Sequence, residues 1–338
     1  MRDLKFLTIC PSDTYFTWQV HLWLESLKEI GHSDKAIVLI YSPKGRPFND
    51  KWTQIVKLYP EAELTFIEDY GEMNEQLSIY ISVLRPYTAW RYFQLHPELR
   101  ESAIFYCDSD ILFTKDFNLD KFLDDDVNYV SDTNSYINAD YFDSKKKDVL
   151  SNKITKYSEL DVLNSTANLV GIDRKICEKN NLDSGGAQYL LKNIDAGFWE
   201  KVMKDCISIR VYLMSINREY FESEDKGYQS WCADMWAVLW NLWFRGQETK
   251  VVPELAFAWA PDPIQKMETH TIYHNAGMSG VMMDNYPCFY KGRYHLGGDP
   301  TKDPHLDVVL NNEESKKHCT WYYADAVKRL GEKYKLNY

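Results

Sequence analysis

Apolar runs alternate with amphipathic stretches along the first third of the chain. The runs at residues 4–10, 35–42 and 103–113 predict buried strands, and apolar residues at helical spacing between 17 and 31 predict an amphipathic helix. A further helical stretch covers residues 78–100. Strands that alternate with helices are typical of an α/β fold with a parallel, doubly wound sheet, in which ligands gather at the carboxyl ends of the strands.

The rest of the chain is less regular. Residues 114–170 are polar and predict surface connections, whereas 231–244 predicts a Trp-rich helix and 313–335 predicts a helix that packs on the domain. The sequence shows no internal repeat and no low-complexity linker. We therefore predict a single domain over residues 1–300 with a C-terminal helical extension over residues 301–338.

The composition is that of an acidic globular protein. Of the 338 residues 45% are hydrophobic. The formal net charge of -11 argues against a broad nucleic-acid surface but does not exclude a local basic groove. The seven cysteines include no C-x-x-C pair, so we expect reduced thiols in a cytoplasm. The longest apolar segment, 231–244, contains an acid and is too short to span a bilayer, so we expect no membrane anchor.

Two aspartates lie where a predicted buried strand ends. Asp108 and Asp110 follow the apolar residues AIFYC, and alternation places both carboxylates on one side of the chain with Ser109 opposite. Close carboxylates repel each other unless a cation pairs with them, and their oxygens suit Mg²⁺ or Mn²⁺. The alternative is a strand-end turn with two solvated aspartates. A second D-x-D pair, Asp124 and Asp126, lies in a polar run where a solvated loop is explanation enough.

Charged and small residues elsewhere fit the same chemistry. Arg85 and Arg91 precede the strand, where a guanidinium could meet a phosphate or the carboxylates, and a surface salt bridge is the alternative for each. Gly185 and Gly186 either let a ligand approach the backbone closely or form a plain tight turn. The polar neighbours of this glycine pair, which could bind hydroxyl groups, are Asp183, Ser184 and Gln188.

Two single residues complete the set. Asp234 is an acid in an aromatic helix, where a buried carboxylate needs a partner such as a sugar hydroxyl, an arginine or a lysine. His274 ends a late predicted strand and could complete a metal site, although a lone histidine is more often structural. Together with the aspartate pair, these residues outline a candidate ligand site.

In this order the residues resemble the GT-A nucleotide-sugar glycosyltransferases, over roughly residues 4–295. The glycogenin-like branch is similar in its basic helix, D-x-D strand end, small-residue strand, acid-containing helix and late histidine. A closer local resemblance is to the plant hydroxyproline O-arabinosyltransferases and peptidyl-serine galactosyltransferases. The segment YFTWQ resembles their aromatic-W-Q motif, and WCADMW resembles their W-x-x-E-M-Y helix with Asp234 for Glu. The terminal lysine motif of the glycogenin-like enzymes is not reproduced, and Lys291 in YKGRYH is its candidate substitute.

The resemblance implies a GT-A type, Rossmann-like fold and the metal-dependent transfer of a sugar from a nucleotide diphosphate sugar. The implied donor is a UDP-sugar, with UDP-arabinose as one option, and the anomeric configuration is retained. The implied cofactor is Mn²⁺ or Mg²⁺ on Asp108, Asp110 and His274, and the implied catalytic residues are Asp234 and Arg91. The implied donor-binding residues are Thr8, Ser12, Asp13, Arg85, Arg91, Asp108, Ser109, Asp183, Ser184, Gly185, Gly186, Gln188 and Lys291.

The acceptor and the class of function stay open on the sequence. The acceptor hydroxyl belongs either to a glycan or peptide, or to 5-hydroxymethylcytosine in phage DNA, for which the lysines of SKKKD (144–148) and KGRYH (291–295) are a candidate basic surface. A non-catalytic sugar-binding module on the same fold is the alternative class, since a fold does not guarantee an activity. We expect the protein in the cytoplasm of a bacterium or of a phage-infected host, without a membrane partner.

Overall fold

Strands recur along the chain from residue 4 to residue 274, and one of them, at residues 128–132, lies in the polar region where the pattern predicts surface connections. The structure, a computed structural model, describes residues 1–45, 49–114, 118–151, 159–221, 226–278, 284–335 and 338. The strands within these ranges are β1 (Leu4–Pro11), β2 (Ala36–Pro43), β3 (Glu63–Asp69), β4 (Ala103–Cys107), β5 (Ile111–Phe113), β6 (Asn128–Asp132), β7 (Gly185–Lys192), β8 (Thr249–Val251), β9 (Phe257–Trp259) and β10 (Ile272–His274).

Helices connect most of these strands. They are α1 (Thr14–Glu29), α2 (Asp50–Leu58), α3 (Asn74–Ile79), α4 (Leu84–Leu95), α5 (Asn134–Ile137), α6 (Ala139–Ser151), α7 (Val162–Val170), α8 (Arg174–Lys179), α9 (Ala196–Tyr220), α10 (Ala233–Phe244), α11 (Lys266–Thr269), α12 (Pro304–Asn311) and α13 (Cys319–Tyr334). The helix predicted over 313–335 is α13, whereas the apolar pattern did not predict α12.

The strands belong to two sheets. Seven of them form a mixed sheet in the order β3-β2-β1-β4-β7-β6-β8, and the other three form a small sheet in the order β5-β10-β9. The first two strands pair in parallel, with Phe6 opposite Ala36, whereas β6 is antiparallel to β7 and parallel to β8. The predicted α/β fold with a central doubly wound sheet is therefore confirmed, and the antiparallel β6–β7 pair is an addition that strand–helix alternation does not predict.

The segment 103–113 forms two strands where the apolar pattern predicts one. The first strand, β4, ends at Cys107, a turn follows at residues 108–110, and β5 begins at Ile111 in the small sheet. There β5 pairs antiparallel with β10, and Phe113 lies opposite Ile272. The chain turns at the two aspartates because ionised carboxylates cannot continue into an apolar core without partners.

The chain divides into two compact units, and each unit collects segments from distant parts of the sequence. The predicted boundary between a domain over residues 1–300 and an extension over residues 301–338 is a separate matter and stays a prediction. The first unit contains Met1–Leu4, Ile67–Tyr106 and Asp120–Leu255, and the second unit contains Lys5–Phe66, Cys107–Leu119 and Ala256–Tyr338.

The core of the first unit is aromatic. Helix α9, 25 residues long, packs against α4 and α10, and its buried Trp199 ring contacts Tyr106 with ring centroids 5.2 Å apart. Strand β7 approaches β6 very closely, because a Cβ on Gly185 would lie 2.1 Å from the carbonyl oxygen of Ser131. Only glycine fits at this position of the strand.

The core of the second unit forms around α1, the small sheet and α13. Trp18 of α1 meets Phe289 with ring centroids 5.9 Å apart, and Tyr273 of β10 meets Tyr323 of α13 at 5.3 Å. All four rings are buried in one hydrophobic cluster. This packing fixes the ends of β5 and β10, which carry the chemistry described below.

The cysteines and helices bear on two expectations from the sequence. All seven cysteines are buried free thiols, as their spacing predicts. Within the described part of the chain, no helix has both the length and the apolar character that a membrane crossing requires.

Candidate functional site

The aspartate pair lies in the turn between β4 and β5, next to the end of β10. Because β5 and β10 pair antiparallel, His274 at the end of β10 lies opposite Ile111, the first residue of β5. The backbone N–H of Asn275 donates to the carbonyl oxygen of Asp110 at 3.0 Å. The pairing of two short strands therefore brings His274 to the aspartates.

The three side chains point their ligand atoms at one small volume. The Nε2 atom of His274 lies 3.6 Å from Asp108 Oδ2 and 3.4 Å from Asp110 Oδ1. One ligand atom from each residue lies within 4.8 Å of the others. Ligands of one octahedral ion with bonds of ~2.1 Å are about 3 Å apart, so a modest contraction would let all three coordinate the same divalent cation. The residues present therefore fit a metal of the Mg²⁺ or Mn²⁺ class.

Lys291 supplies a positive charge at the same cluster. Its ammonium group donates to Asp110 Oδ2, and the Asp110 side chain is only 5% exposed. Burial raises the pKa of the Asp110 carboxyl, but Lys291 and His274 outweigh burial and hold that pKa well below its usual range. Burial likewise lowers the pKa of the Lys291 ammonium, and Asp110 and Tyr15 more than reverse that shift. Both partners are therefore charged at neutral pH.

The Nδ1 side of the His274 ring, which faces away from the aspartates, lacks a hydrogen bond within the part of the chain that the structure describes. Its Nδ1 atom is buried and has no hydrogen-bond partner among the described residues, and the ring of Phe257 in β9 packs against it with centroids 5.3 Å apart. Metal-binding histidines usually donate their second N–H to an acceptor. Here aromatic packing orients the imidazole.

Of the residues predicted to face the nucleoside, Thr8 lies inside β1, whereas Ser12 and Asp13 follow the end of the strand. Thr8 is fully buried, and no described residue forms a hydrogen bond with its hydroxyl. The carbonyl of Ser12 accepts from the Trp52 indole at 2.9 Å, and Asp13 is an exposed residue that precedes α1. Tyr15, whose pKa is raised chiefly by burial, interacts electrostatically with Lys291 and Asp110. Tyr15 was missed as a site residue, although it opens the YFTWQ motif.

A second buried carboxylate lies in the first unit. Asp234, in the first turn of α10, forms an ion pair with Arg85 through Oδ2, and its Oδ1 lies 2.6 Å from the Tyr80 hydroxyl. Burial, and next the charge of Asp234, raises the pKa of Tyr80 well above its ordinary value, so that the hydroxyl stays protonated. The Tyr80 hydroxyl also lies 2.6 Å from the Trp231 carbonyl oxygen. The structure thus joins Arg85 to Asp234, and Tyr80 is a partner that no sequence signal singled out.

Arg91 lies on the surface of α4. Its guanidinium pairs with Glu72 at 3.1 Å and donates to the Tyr87 hydroxyl at 3.3 Å. The Arg91 side chain is 36% exposed and Glu72 is 55% exposed. The contacts of Arg91 are those of a surface ion pair, and its predicted catalytic role stays a prediction.

The polar residues around the glycine pair bond to the protein's own backbone. Ser184 donates to the Asn180 carbonyl at 2.9 Å, the Gln188 amide donates to the Leu255 carbonyl at 2.8 Å, and Asp183 accepts from the N–H of Val251 at 3.3 Å. A Cβ on Gly186 would lie 2.5 Å from the Met235 side chain. Close packing accounts for both glycines, and the predicted donor contacts in this segment stay predictions.

Comparison with known proteins yields similar solved structures but no match by sequence. No family model matches the sequence, and no curated protein matches it. The apo structure of the WbbM bifunctional glycosyltransferase is similar with a TM-score of 0.43 and 12% identity, over 82% of this chain and 46% of that one. The apo form of mouse xyloside xylosyltransferase 1 is similar with a TM-score of 0.40 and 12% identity, over 81% and 97% of the two chains. This chain spans just under half the length of WbbM.

Proposed function

We propose that the protein is a metal-dependent glycosyltransferase with a GT-A type fold that uses a nucleotide diphosphate sugar. The observation that carries the proposal is the convergence of Asp108, Asp110 and His274 within 4.8 Å, at a turn that follows a central strand. Ligand sites of doubly wound folds lie at the carboxyl ends of such strands. The residue motifs that resemble the glycosyltransferase families support the same class.

In this proposal the metal ion would be held by the two carboxylates and the imidazole and would neutralise the diphosphate of the donor. An imidazole beside two carboxylates favours Mn²⁺ over Mg²⁺, which takes mostly oxygen ligands. The bond between the anomeric carbon and the diphosphate oxygen would break, a bond to the acceptor oxygen would form, and the proton of the acceptor hydroxyl would pass to the departing diphosphate. Lys291, already at Asp110, is placed to offset the charge of the departing diphosphate, and Arg91 would add to that effect.

We further propose that Asp234 acts at the donor sugar. Tyr80 and Arg85 hold both of its oxygens, which keeps the carboxylate oriented. Arg85 then serves as the partner of Asp234 rather than of the phosphate. The donor would be a UDP-sugar, a pentose such as arabinose included, with Thr8, Ser12 and Asp13 at the nucleoside and residues 183–188 at the sugar. Retention of configuration is carried over from the resembled families.

For the acceptor we favour a glycan or peptide hydroxyl over a modified base in DNA. Lys291 pairs with Asp110 inside the candidate metal site, so it does not contribute a free surface charge. Lys145 in the other candidate basic segment lies 3.5 Å from the Lys226 carbonyl, and the net charge of -11 opposes a polyanion. Transfer to DNA that carried hydroxymethylated cytosine, with strong inhibition by salt, would reverse this preference.

The test is a thermal-shift panel of nucleotide sugars with and without Mn²⁺, followed by donor hydrolysis and transfer. We expect one donor class to raise the melting temperature only when Mn²⁺ is present, because binding to the folded state stabilises it by mass action. Hydrolysis of the same donor should follow. A protein that is stabilised by no donor and hydrolyses none would instead be a non-catalytic module on this fold.

A further inference from the structure

We propose that Lys291 and the divalent cation compete for Asp110, so that the cation binds weakly alone and tightly together with a diphosphate. This inference rests on the proposed metal site. In it, Lys291 is a positioning residue that couples the binding of two ligands, and its role extends beyond offsetting phosphate charge.

The competition follows from how the two oxygens of Asp110 are used. Oδ1 lies 3.4 Å from His274 Nε2, on the side where the ligand atoms converge, whereas Oδ2 accepts from the Lys291 ammonium. A cation on Oδ1 would lie on a carboxylate whose charge is already neutralised, and it would repel the ammonium across a few ångströms of largely buried space. The ion pair between Lys291 and Asp110 must therefore lengthen or break before the cation can interact with the full negative charge of the Asp110 carboxylate.

The backbone is packed against the protein on both sides of Lys291, so we place the exchange in its side chain. Phe289 and Tyr294 are buried and stack on each other with centroids 5.7 Å apart, which anchors the chain on both sides. Between them, a Cβ on Gly292 would lie 2.4 Å from the Tyr290 ring, so the turn packs tightly. The lysine itself has a flexible four-carbon stem and a compact charge with three donors. It can swing away without any change in the fold.

A diphosphate gives the displaced ammonium a new partner. With the donor bound, Lys291 can leave Asp110 for a phosphate oxygen, and the repulsion between cation and ammonium is replaced by two attractions to the same anion. The cation and the diphosphate then increase each other's affinity, and this coupling is reciprocal. Without a diphosphate, Lys291 weakens the binding of the metal.

The experiment measures Mn²⁺ binding by calorimetry, with no turnover, for the wild type and for Lys291→Gln. We expect Lys291→Gln to bind Mn²⁺ alone about tenfold more tightly than the wild type, within the usual range of coupling between sites. The same titration is then repeated with UDP present and corrected for the Mn²⁺ that UDP binds in the buffer. UDP should increase the affinity for Mn²⁺ more in the wild type than in the variant. Equal or weaker binding of Mn²⁺ alone by Lys291→Gln would overturn the inference.

Matched variants separate this inference from the metal site itself. Arg293→Gln removes the same charge two residues away, where the guanidinium lies 3.7 Å from Asp303, and should leave Mn²⁺ binding within about twofold of the wild type. Lys291→Arg keeps the charge and should keep Mn²⁺ binding weak. If Mn²⁺ binds the wild type and Asp108→Asn/Asp110→Asn removes that binding, the metal site stands whatever Lys291→Gln does. If neither the wild type nor Lys291→Gln binds Mn²⁺, the metal site and the inference both fail.

Discussion

Asp110 and Asp234 are both buried carboxylates, but their surroundings differ in charge. Asp234 is paired with one arginine and one neutral tyrosine, so the cluster of Tyr80, Arg85 and Asp234 has a formal charge of zero. The cluster around Asp110 contains a second carboxylate, Asp108, against one ammonium and a histidine. Two carboxylates therefore lie side by side in this cluster.

This difference separates a carboxylate held by an arginine and a tyrosine from one that belongs to a candidate metal site. A buried ion pair that is already neutral gains little from another charge. Removing one of its two partners is destabilising, because the other charge is left buried without compensation. Two neighbouring carboxylates repel each other, and a divalent cation bound to both would remove that repulsion. The second carboxylate beside Asp110, more than burial, therefore distinguishes the two clusters.

The largest effect is expected from the double variant Asp108→Asn/Asp110→Asn. It should abolish stabilisation by Mn²⁺ with the donor and lower the rate of transfer on the order of 1,000-fold, because a metal ion supplies several kcal/mol of charge stabilisation. Melting temperatures with and without Mn²⁺ and the transfer rate measure the effect.

The control for this experiment is the second D-x-D pair, changed as Asp124→Asn/Asp126→Asn. These exposed residues pair with the amino terminus at 2.9 Å and with Arg2, and their loss should leave both readouts unchanged. Equal losses in the two double variants would contradict the assignment of the metal site.

Next in size is the effect of Asp234→Ala on stability. The change leaves Arg85, whose side chain is 22% exposed, without its carboxylate, so we expect the free energy of unfolding to fall by about 3–5 kcal/mol. Urea denaturation measures it. Replacing both partners, as Asp234→Leu/Arg85→Met, should recover much of the loss, whereas a double variant as unstable as Asp234→Ala would show that more than the ion pair is involved.

A change in stability of similar size should appear when the pH is lowered. It depends on His21 and not on Asp110 or Asp234. Burial of His21, assisted by Lys333 and Lys28 against an opposing Glu25, lowers its pKa from 6.5 to about 4. Between these values the unfolded chain binds more protons than the folded protein, so stability falls as the pH decreases through this window, by on the order of 3 kcal/mol in total. Urea midpoints from pH 7 to pH 4 measure it, and His21→Gln should flatten the slope, whereas Asp110→Asn and Asp234→Ala should keep it.

The smallest effect on stability is expected for Arg91→Ala. Its half-exposed pair with Glu72 contributes less than about 1 kcal/mol. In the proposed role at the diphosphate, the same change should lower the rate of transfer by roughly tenfold or more while the melting temperature stays close to that of the wild type. An unchanged rate would remove Arg91 from the catalytic residues and leave it a surface ion pair.

Much of the local structure could be predicted from the sequence, because it depends on neighbours along the chain. The apolar residues before Asp108 predict a strand that ends there, and β4 ends at Cys107. What local pattern cannot show is that the strand turns instead of continuing. That outcome depends on β10, which offers β5 a partner, and the pairing between them is set by the tertiary fold.

The partners of the two carboxylates show the same limit. Lys291 and Asp110 are 181 residues apart, and Tyr80 and Asp234 are 154 residues apart. Asp234 was expected to need a partner such as an arginine, but no spacing rule selects Arg85, and Tyr80 is one of 24 tyrosines. Long-range contacts of this kind depend on strand order and packing.

The sequence by itself determined the kinds of groups available and where strands expose them: a D-x-D pair after a buried run, a late histidine and an acid in an aromatic helix. Their residue types are enough to suggest metal and diphosphate chemistry. Only the tertiary structure decided which groups meet, because the pairing of β5 with β10 brings His274 to the aspartates and the packed turn after Phe289 brings Lys291 to Asp110. The physical reason is that charge compensation acts across a few ångströms in space, whatever the separation along the chain.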